Sequence, residues 1–123
     1  MLVVEDDPQL RELYRSALRY AGHLVIAVED GVDALRQIEL TTPAAVVLDL
    51  ALPRVGGRDV HSELQSHPHT RRIPVVVVTG TDASDLDAKA FACVLRKPVS
   101  IDALVAEVER CIRRAGGAPM ALS

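Results

Sequence analysis

Four short apolar runs in this chain each end in charged or hydroxylated residues. Leu2-Val3-Val4 runs into Glu5-Asp6-Asp7, and Ala45-Val46-Val47-Leu48 runs into Asp49. Val75-Val76-Val77-Val78 runs into Thr79, and Cys93-Val94-Leu95 runs into Arg96-Lys97-Pro98. Runs this short and Val-rich, bounded by turn residues, predict buried strands. If the strands are parallel, all four polar sets fall on the carboxyl edge of one sheet, where open α/β folds bind ligands. Several carboxylates, one hydroxyl and one ammonium then meet in a single crevice. That is the chemistry of a metal and phosphoryl site rather than of a solvated surface.

Helical signals fill the gaps between the runs. Asp7-Pro8 is an N-cap followed by proline at the first helical position. Leu10, Leu13, Tyr14, Ala17, Leu18 and Ala21 follow at helical spacing, and Gly22 stops the helix. Leu24 to Val28 predicts a second strand, and Asp30-Gly31 opens a helix with Val32, Leu35 and Ile38 on one face. Thr41-Thr42-Pro43 ends it. After a loop from Pro53 to Gly57, a helix carrying Val60 and Leu64 runs to about His67-Pro68. Thr81 to Phe91 is a weak helix, and Ser100 caps a last one with Ile101, Leu104, Val105, Val108, Cys111 and Ile112 on one stripe. The pattern is (βα)5, an α/β class with a five-stranded, doubly wound parallel sheet. The order 2-1-3-4-5 puts strands one and three side by side and brings Glu5, Asp6 and Asp49 together.

Composition narrows the function. The length of 123 residues suits one domain with one core. Aromatic residues are 2% and tryptophan is absent, so the core is aliphatic and stacking on nucleic-acid bases is disfavoured. A net charge of −3 offers no basic excess for a nucleic-acid backbone. No apolar run is long enough to span a membrane, and the N-terminus lacks a signal-peptide pattern, so a cytoplasmic location without membrane contact is expected. Cys93 and Cys111 are expected to be two buried free thiols rather than a disulfide or metal pair. His67 and His69 flank Pro68 without a third ligand and predict a loop, not a metal site.

Crowded carboxylates need a cation to stay ionised together. No Cys or His joins them, so the ligands are all hard oxygen, which favours Mg2+. Asp6 and Asp49 suit direct ligation, and Glu5 suits a metal-bound water. Asp49 also suits the role of a nucleophile that accepts a phosphoryl group. Lys97 supplies a counter-charge and Thr79 a hydroxyl donor, and positioning with charge neutralisation carries such a transfer.

The motifs Val3-Val4-Glu5-Asp6-Asp7-Pro8, Asp49-Leu50-Ala51-Leu52-Pro53 with Gly57, Pro74 to Gly80, and Lys97-Pro98 stand in one order over almost the whole chain. In this the chain resembles the receiver domains of bacterial two-component response regulators. The resemblance implies a flavodoxin-like receiver fold over residues 1–115, with 116–123 expected as a flexible tail. It implies Mg2+ held by Glu5, Asp6, Asp49 and the backbone carbonyl of Ala51. It implies Asp49 as phosphoacceptor, Thr79 as switch hydroxyl and Lys97 as phosphate-binding lysine, with a cis peptide before Pro98. The implied donor is a phosphohistidine on a sensor histidine kinase or histidine phosphotransfer protein. Phosphorylation then rearranges the face of the fourth helix, fifth strand and fifth helix toward an unidentified effector. Slow loss of the acyl phosphate would be shaped by Ala51 and Thr81.

Two features depart from the family. Val94 stands where an aromatic usually lies three residues before the lysine, and Phe91-Ala92-Cys93 replaces the usual Gly-Ala-Asp-Asp run. Both fall on the output face and leave the acceptor residues in place. They support an alternative, a pseudo-receiver acting as a phosphorylation-independent interaction module. A phosphohydrolase with Asp49 as nucleophile ranks last, because Ala51 stands where a general acid is needed. The short lead-in before the first strand is compatible with a piece of a longer regulator or hybrid kinase.

Overall fold

The computed structural model describes residues 1–52, 54–80, 91 and 93–116. Its elements run β1 (Leu2–Val4), α1 (Pro8–Tyr20), β2 (Ile26–Val28), α2 (Gly31–Thr41), β3 (Val46–Asp49), α3 (Gly57–Ser66), β4 (Val75–Thr79), β5 (Cys93–Arg96) and α4 (Ile101–Arg114). The five strands form one sheet in the order β2-β1-β3-β4-β5, every pairing parallel. This is the expected doubly wound order. The weak helix expected over Thr81 to Phe91 lies outside the described residues except for Phe91, so α4 is the C-terminal helix capped by Ser100. Of the tail expected over 116–123, only Gly116 is among the described residues.

Alternation along the strands splits the core between the two faces of the sheet. Leu2, Val4, Val46, Leu48, Val75 and Val77 pack with Ala34 and Ile38 of α2 and Val60 and Leu64 of α3. Val3, Val47, Val76 and Val78 pack with Tyr14 and Leu18 of α1 and Leu104 and Val108 of α4. Burial on both faces explains why the central strands read as unbroken apolar runs instead of alternating ones. The edge strand β2 is shorter than its apolar stretch, and Leu24 is exposed before it.

The helix starts behave as their sequences dictate. Asp7 accepts hydrogen bonds from the amides of Gln9 and Leu10 at 2.9 and 3.2 Å, and Ser100 accepts one from Ala103 at 3.1 Å. Gly22 has φ +103°, a conformation that suits glycine as α1 stops.

The cysteines correct an expectation. Cys93 and Cys111 are bonded as a disulfide instead of being free thiols. Cys93 opens β5 facing α4, and Cys111 lies on the buried stripe of α4 with Leu104 and Val108. The turn after β5 sends the helix back antiparallel to the strand, which leaves the two Cα atoms 6.5 Å apart, inside the range for a bridge.

Candidate functional site: an acidic crevice at the carboxyl edge

The crevice forms where β1 and β3 end side by side, with Lys97, just after β5, reaching in across the end of β4. Glu5 directly follows β1 and is 1% exposed. Its backbone N–H donates to Val28 O at 3.1 Å, which extends the ladder one residue and turns the side chain into the fold. Glu5 Oε2 accepts the Asp7 amide at 3.1 Å. Asp6 stays exposed at the rim. Asp7 is occupied as the N-cap of α1, as its sequence context predicts.

Asp49 is the last residue of β3 and is 3% exposed. Its Oδ1 accepts the Ala51 amide at 2.9 Å, an Asx-type turn that fixes the carboxylate, and its Oδ2 accepts from Lys97 Nζ at 2.9 Å. Lys97 Nζ also lies 2.7 Å from Glu5 Oε1. The ammonium therefore bridges the ends of β1 and β3 from beyond β5, held there by its backbone N–H donating to Thr79 O at 2.9 Å. Thr79 ends β4 fully buried. The Lys97–Pro98 peptide is cis, as expected.

Gly57 closes the loop after Asp49. A Cβ at this position would sit 2.3 Å from Asp49 O and 2.6 Å from Leu50 Cα. Glycine therefore allows the β3–α3 loop to pass directly against the strand end that carries Asp49. Gly31, the first residue of α2, lets the same loop come close from the other side: a Cβ there would lie 2.1 Å from Val55 O.

Burial pushes Glu5 up to about 7, against the opposing pull of the Lys97 ammonium and the hydrogen bond from the Asp7 amide, with the Asp49 charge adding to the rise. Burial alone would lower Lys97, but its contacts with Glu5 and Asp49 outweigh that and hold it above the ordinary lysine range. One oxygen from each of Glu5, Asp6 and Asp49 lies within 4.8 Å of the others. Fully ionised, three carboxylates against one ammonium leave two negative charges in excess. Glu5 Oε1 is buried and, despite the nearby ammonium, lacks a hydrogen bond of good geometry. An all-oxygen donor set with that charge excess and an under-satisfied buried oxygen fits a hard divalent cation.

Glu5, Asp6, Asp49, Ala51, Thr79 and Lys97 thus lie at one edge of the sheet, while Thr81 lies outside the described residues. Sequence reasoning missed Arg54. It has φ 64°, and its guanidinium pairs with Asp30, the buried N-cap of α2. The Asp33 amide and Arg54 together hold the Asp30 carboxyl below its ordinary range. Only Asp30-Gly31 hinted at this, as a cap signal. Glu29, Asp30 and Asp33 form a second acidic group, but Asp30 is already used in this way.

A sheet of this order, with an acidic crevice and a lysine at its carboxyl edge, defines a signalling domain. The chain belongs to the response regulator receiver domain family, whose model matches residues 1–109. It is a receiver domain of a response regulator in two-component signalling, a family that takes phosphate from histidine kinases and acts on downstream effectors. Response regulator MprA of Mycobacterium sp. (strain KMS) is 37% identical over 119 residues, covering 93% of this chain and 50% of the relative. The chain spans about half the length of the curated relatives it matches. A putative response regulator from Chloroflexus aurantiacus J-10-fl superposes with a TM-score of 0.85 at 32% identity, covering 92% of this chain and 96% of that one. The receiver domain of a sensor histidine kinase from Pseudomonas aeruginosa PAO1, 28% identical, superposes with a TM-score of 0.82 over 91% of this chain and 95% of that one. That structure has a magnesium ion coordinated in its active site cleft. Among the described residues, no helix is long and apolar enough to cross a membrane.

Proposed function

We propose that this domain accepts a phosphoryl group on Asp49 from a phosphohistidine partner in a Mg2+-dependent reaction. The observation that carries the reading is the buried Asp49 carboxylate, with Lys97 Nζ at 2.9 Å and the oxygens of Glu5 and Asp6 close by. Asp6, Asp49 and the Ala51 carbonyl would hold the ion, with Glu5 placed for a metal-bound water. When bound, Mg2+ supplies positive charge to the phosphoryl oxygens.

The chain's own residues do the rest. A carboxylate oxygen of Asp49 attacks phosphorus, the P–N bond to the donor imidazole breaks, and its electron pair returns to the imidazole nitrogen. The Ala51 amide holds Oδ1 and so orients the nucleophile. Lys97, pre-positioned by Glu5 and the Thr79 carbonyl, meets the charge that arrives with the phosphoryl group. Thr79 offers its hydroxyl from the adjacent strand end. The partner class is a sensor histidine kinase or histidine phosphotransfer protein, acting in the cytoplasm. The pseudo-receiver alternative is not favoured: the buried Asp49 beside Lys97, with Glu5 and Asp6 close by, supports acceptance instead.

The test is intact mass after incubation with Mg2+ and acetyl phosphate, beside Asp49→Ala. One added phosphoryl mass that requires both Mg2+ and Asp49 is expected. Its absence, repeated with phosphohistidine donors, overturns the reading.

A further inference from the structure

The opposite edge of the sheet holds a different kind of chemistry. A cavity of about 270 Å3 opens at the amino ends of β4 and β5, and both Cys93 and Cys111 line it. Arg71, Arg72 and Arg114 also line it, and none of the three is ion-paired among the described residues. Within the last turns of α4, Arg110 donates from its guanidinium to Cys93 Sγ at 3.9 Å. The two sulfurs differ in surroundings. Cys93 is 1% exposed and sits beside this cation, whereas Cys111 is 5% exposed on the cavity wall. Arg110 also pairs with Glu107 through Nε, and its remaining N–H faces Cys93 Sγ; a cation beside a cysteine sulfur favours the thiolate over the thiol.

We infer that Cys93 and Cys111 are a reversible thiol–disulfide site, reduced by a small dithiol that reaches Cys111 through this cavity. One thiolate of the dithiol attacks Cys111 Sγ. A mixed disulfide forms, the Cys93–Cys111 bond breaks, and its electron pair leaves on Cys93 Sγ, where Arg110 stabilises the charge. The second thiol of the reductant, once deprotonated, attacks its own sulfur in the mixed disulfide and releases Cys111. Two electrons pass to the protein, the reductant leaves as a cyclic disulfide, and two protons complete the pair of thiols. Reduction unclamps β5 from α4, the strand and helix on either side of Lys97. Room in the cavity for a small molecule, and burial of both sulfurs, select a small dithiol over direct contact with a folded reductase.

The test uses the full chain purified without reductant and alkylated with iodoacetamide before intact-mass measurement. No alkylation is expected at first. Dithiothreitol should then expose two alkylation sites in one step, with circular dichroism unchanged, and oxidised dithiothreitol should remove them again. Arg110→Ala should slow reduction roughly threefold to tenfold, because a leaving thiolate of higher pKa departs more slowly, and Arg110→Lys should restore the rate. Two alkylations persisting in the folded protein after oxidised dithiothreitol, or reduction only in denaturant, overturn the inference. An unchanged rate in folded Arg110→Ala overturns Cys93 as the leaving sulfur. None of these readouts depends on phosphorylation of Asp49.

Discussion

At the carboxyl edge of the sheet, Glu5, Asp6 and Asp49 crowd around one ammonium, whereas at the amino edge of β4 and β5 three arginines ring a cavity floored by sulfur. One sheet supplies both ends, yet the ends carry opposite charge. At the carboxyl edge the polar residues follow the strands directly, so their side chains converge and two of the carboxylates are buried. At the amino edge the arginines come from a loop and a helix end and stay exposed, while the cysteines are drawn inside with Ile73, Val75 and Phe91. The lesson is that burial, not charge count, separates the side chains at each edge: a buried carboxylate needs a cation, and a buried disulfide needs a reductant and a neighbouring cation for its departing thiolate.

Four experiments break or sharpen this contrast, beginning with the largest effect. Cys111→Ser should lower stability by about 3 kcal/mol through the freed 18-residue separation, while phosphoryl incorporation at the far edge stays within about twofold. Urea unfolding beside intact mass reads both, and a collapse of incorporation in the folded variant would show that the edges are coupled. Lys97→Ala should act in the opposite sense, slowing phosphoryl incorporation about a hundredfold, which is about 2.7 kcal/mol of barrier, without changing the rate of disulfide reduction. A near-normal incorporation rate would remove Lys97 from the reaction.

Gly57→Ala comes next. Its Cβ would need to displace backbone beside Asp49, so a loss of about 2 kcal/mol in the urea midpoint is expected. A neutral result would mean that the β3–α3 loop yields freely. The smallest effect is a pH slope confined to the carboxyl edge. Burial holds the Glu5 pKa near 7, above its ordinary 4.5, so the folded apo domain binds that proton more tightly than the unfolded chain does. Its contribution is complete below pH 4.5 and fades as pH rises through 7. Urea midpoints in a chelator should therefore show a decline over that window, which Glu5→Gln flattens. Stability that instead rises there for the wild type relative to Glu5→Gln would contradict a Glu5 carboxyl pushed up by burial.

Much of the carboxyl edge is legible in the sequence because strand ends are local signals. The Val-rich runs set the strands, and the residue after each run had to lie at the carboxyl edge once the strands were parallel. Glu5, Asp49, Thr79 and Lys97 were found in this way, and Asp7 was separated from them by the proline that follows it. Arg54 was not legible, because its pairing depends on a left-handed backbone in the loop after β3 that brings it to the start of α2. The disulfide escaped for a different reason. The stripe of α4 identifies Cys111 as buried but not what it faces. Matching the lengths would have helped: about 16 Å of helix from Ser100 to Cys111 retraces the strand and its turn back to Cys93.

The sequence by itself determined the alternation of strand and helix, the two-faced core and the identity of the polar strand ends, because each depends on periodicity and turn chemistry within a few residues. Tertiary structure alone decided that Lys97 bridges Glu5 and Asp49, that Glu5 is buried deeply enough to hold its proton near neutrality, and that Cys93 and Cys111 meet. Those outcomes depend on the lateral order of strands and on the return path of a helix, where residues far apart in the chain become neighbours and set one another's charge and reactivity.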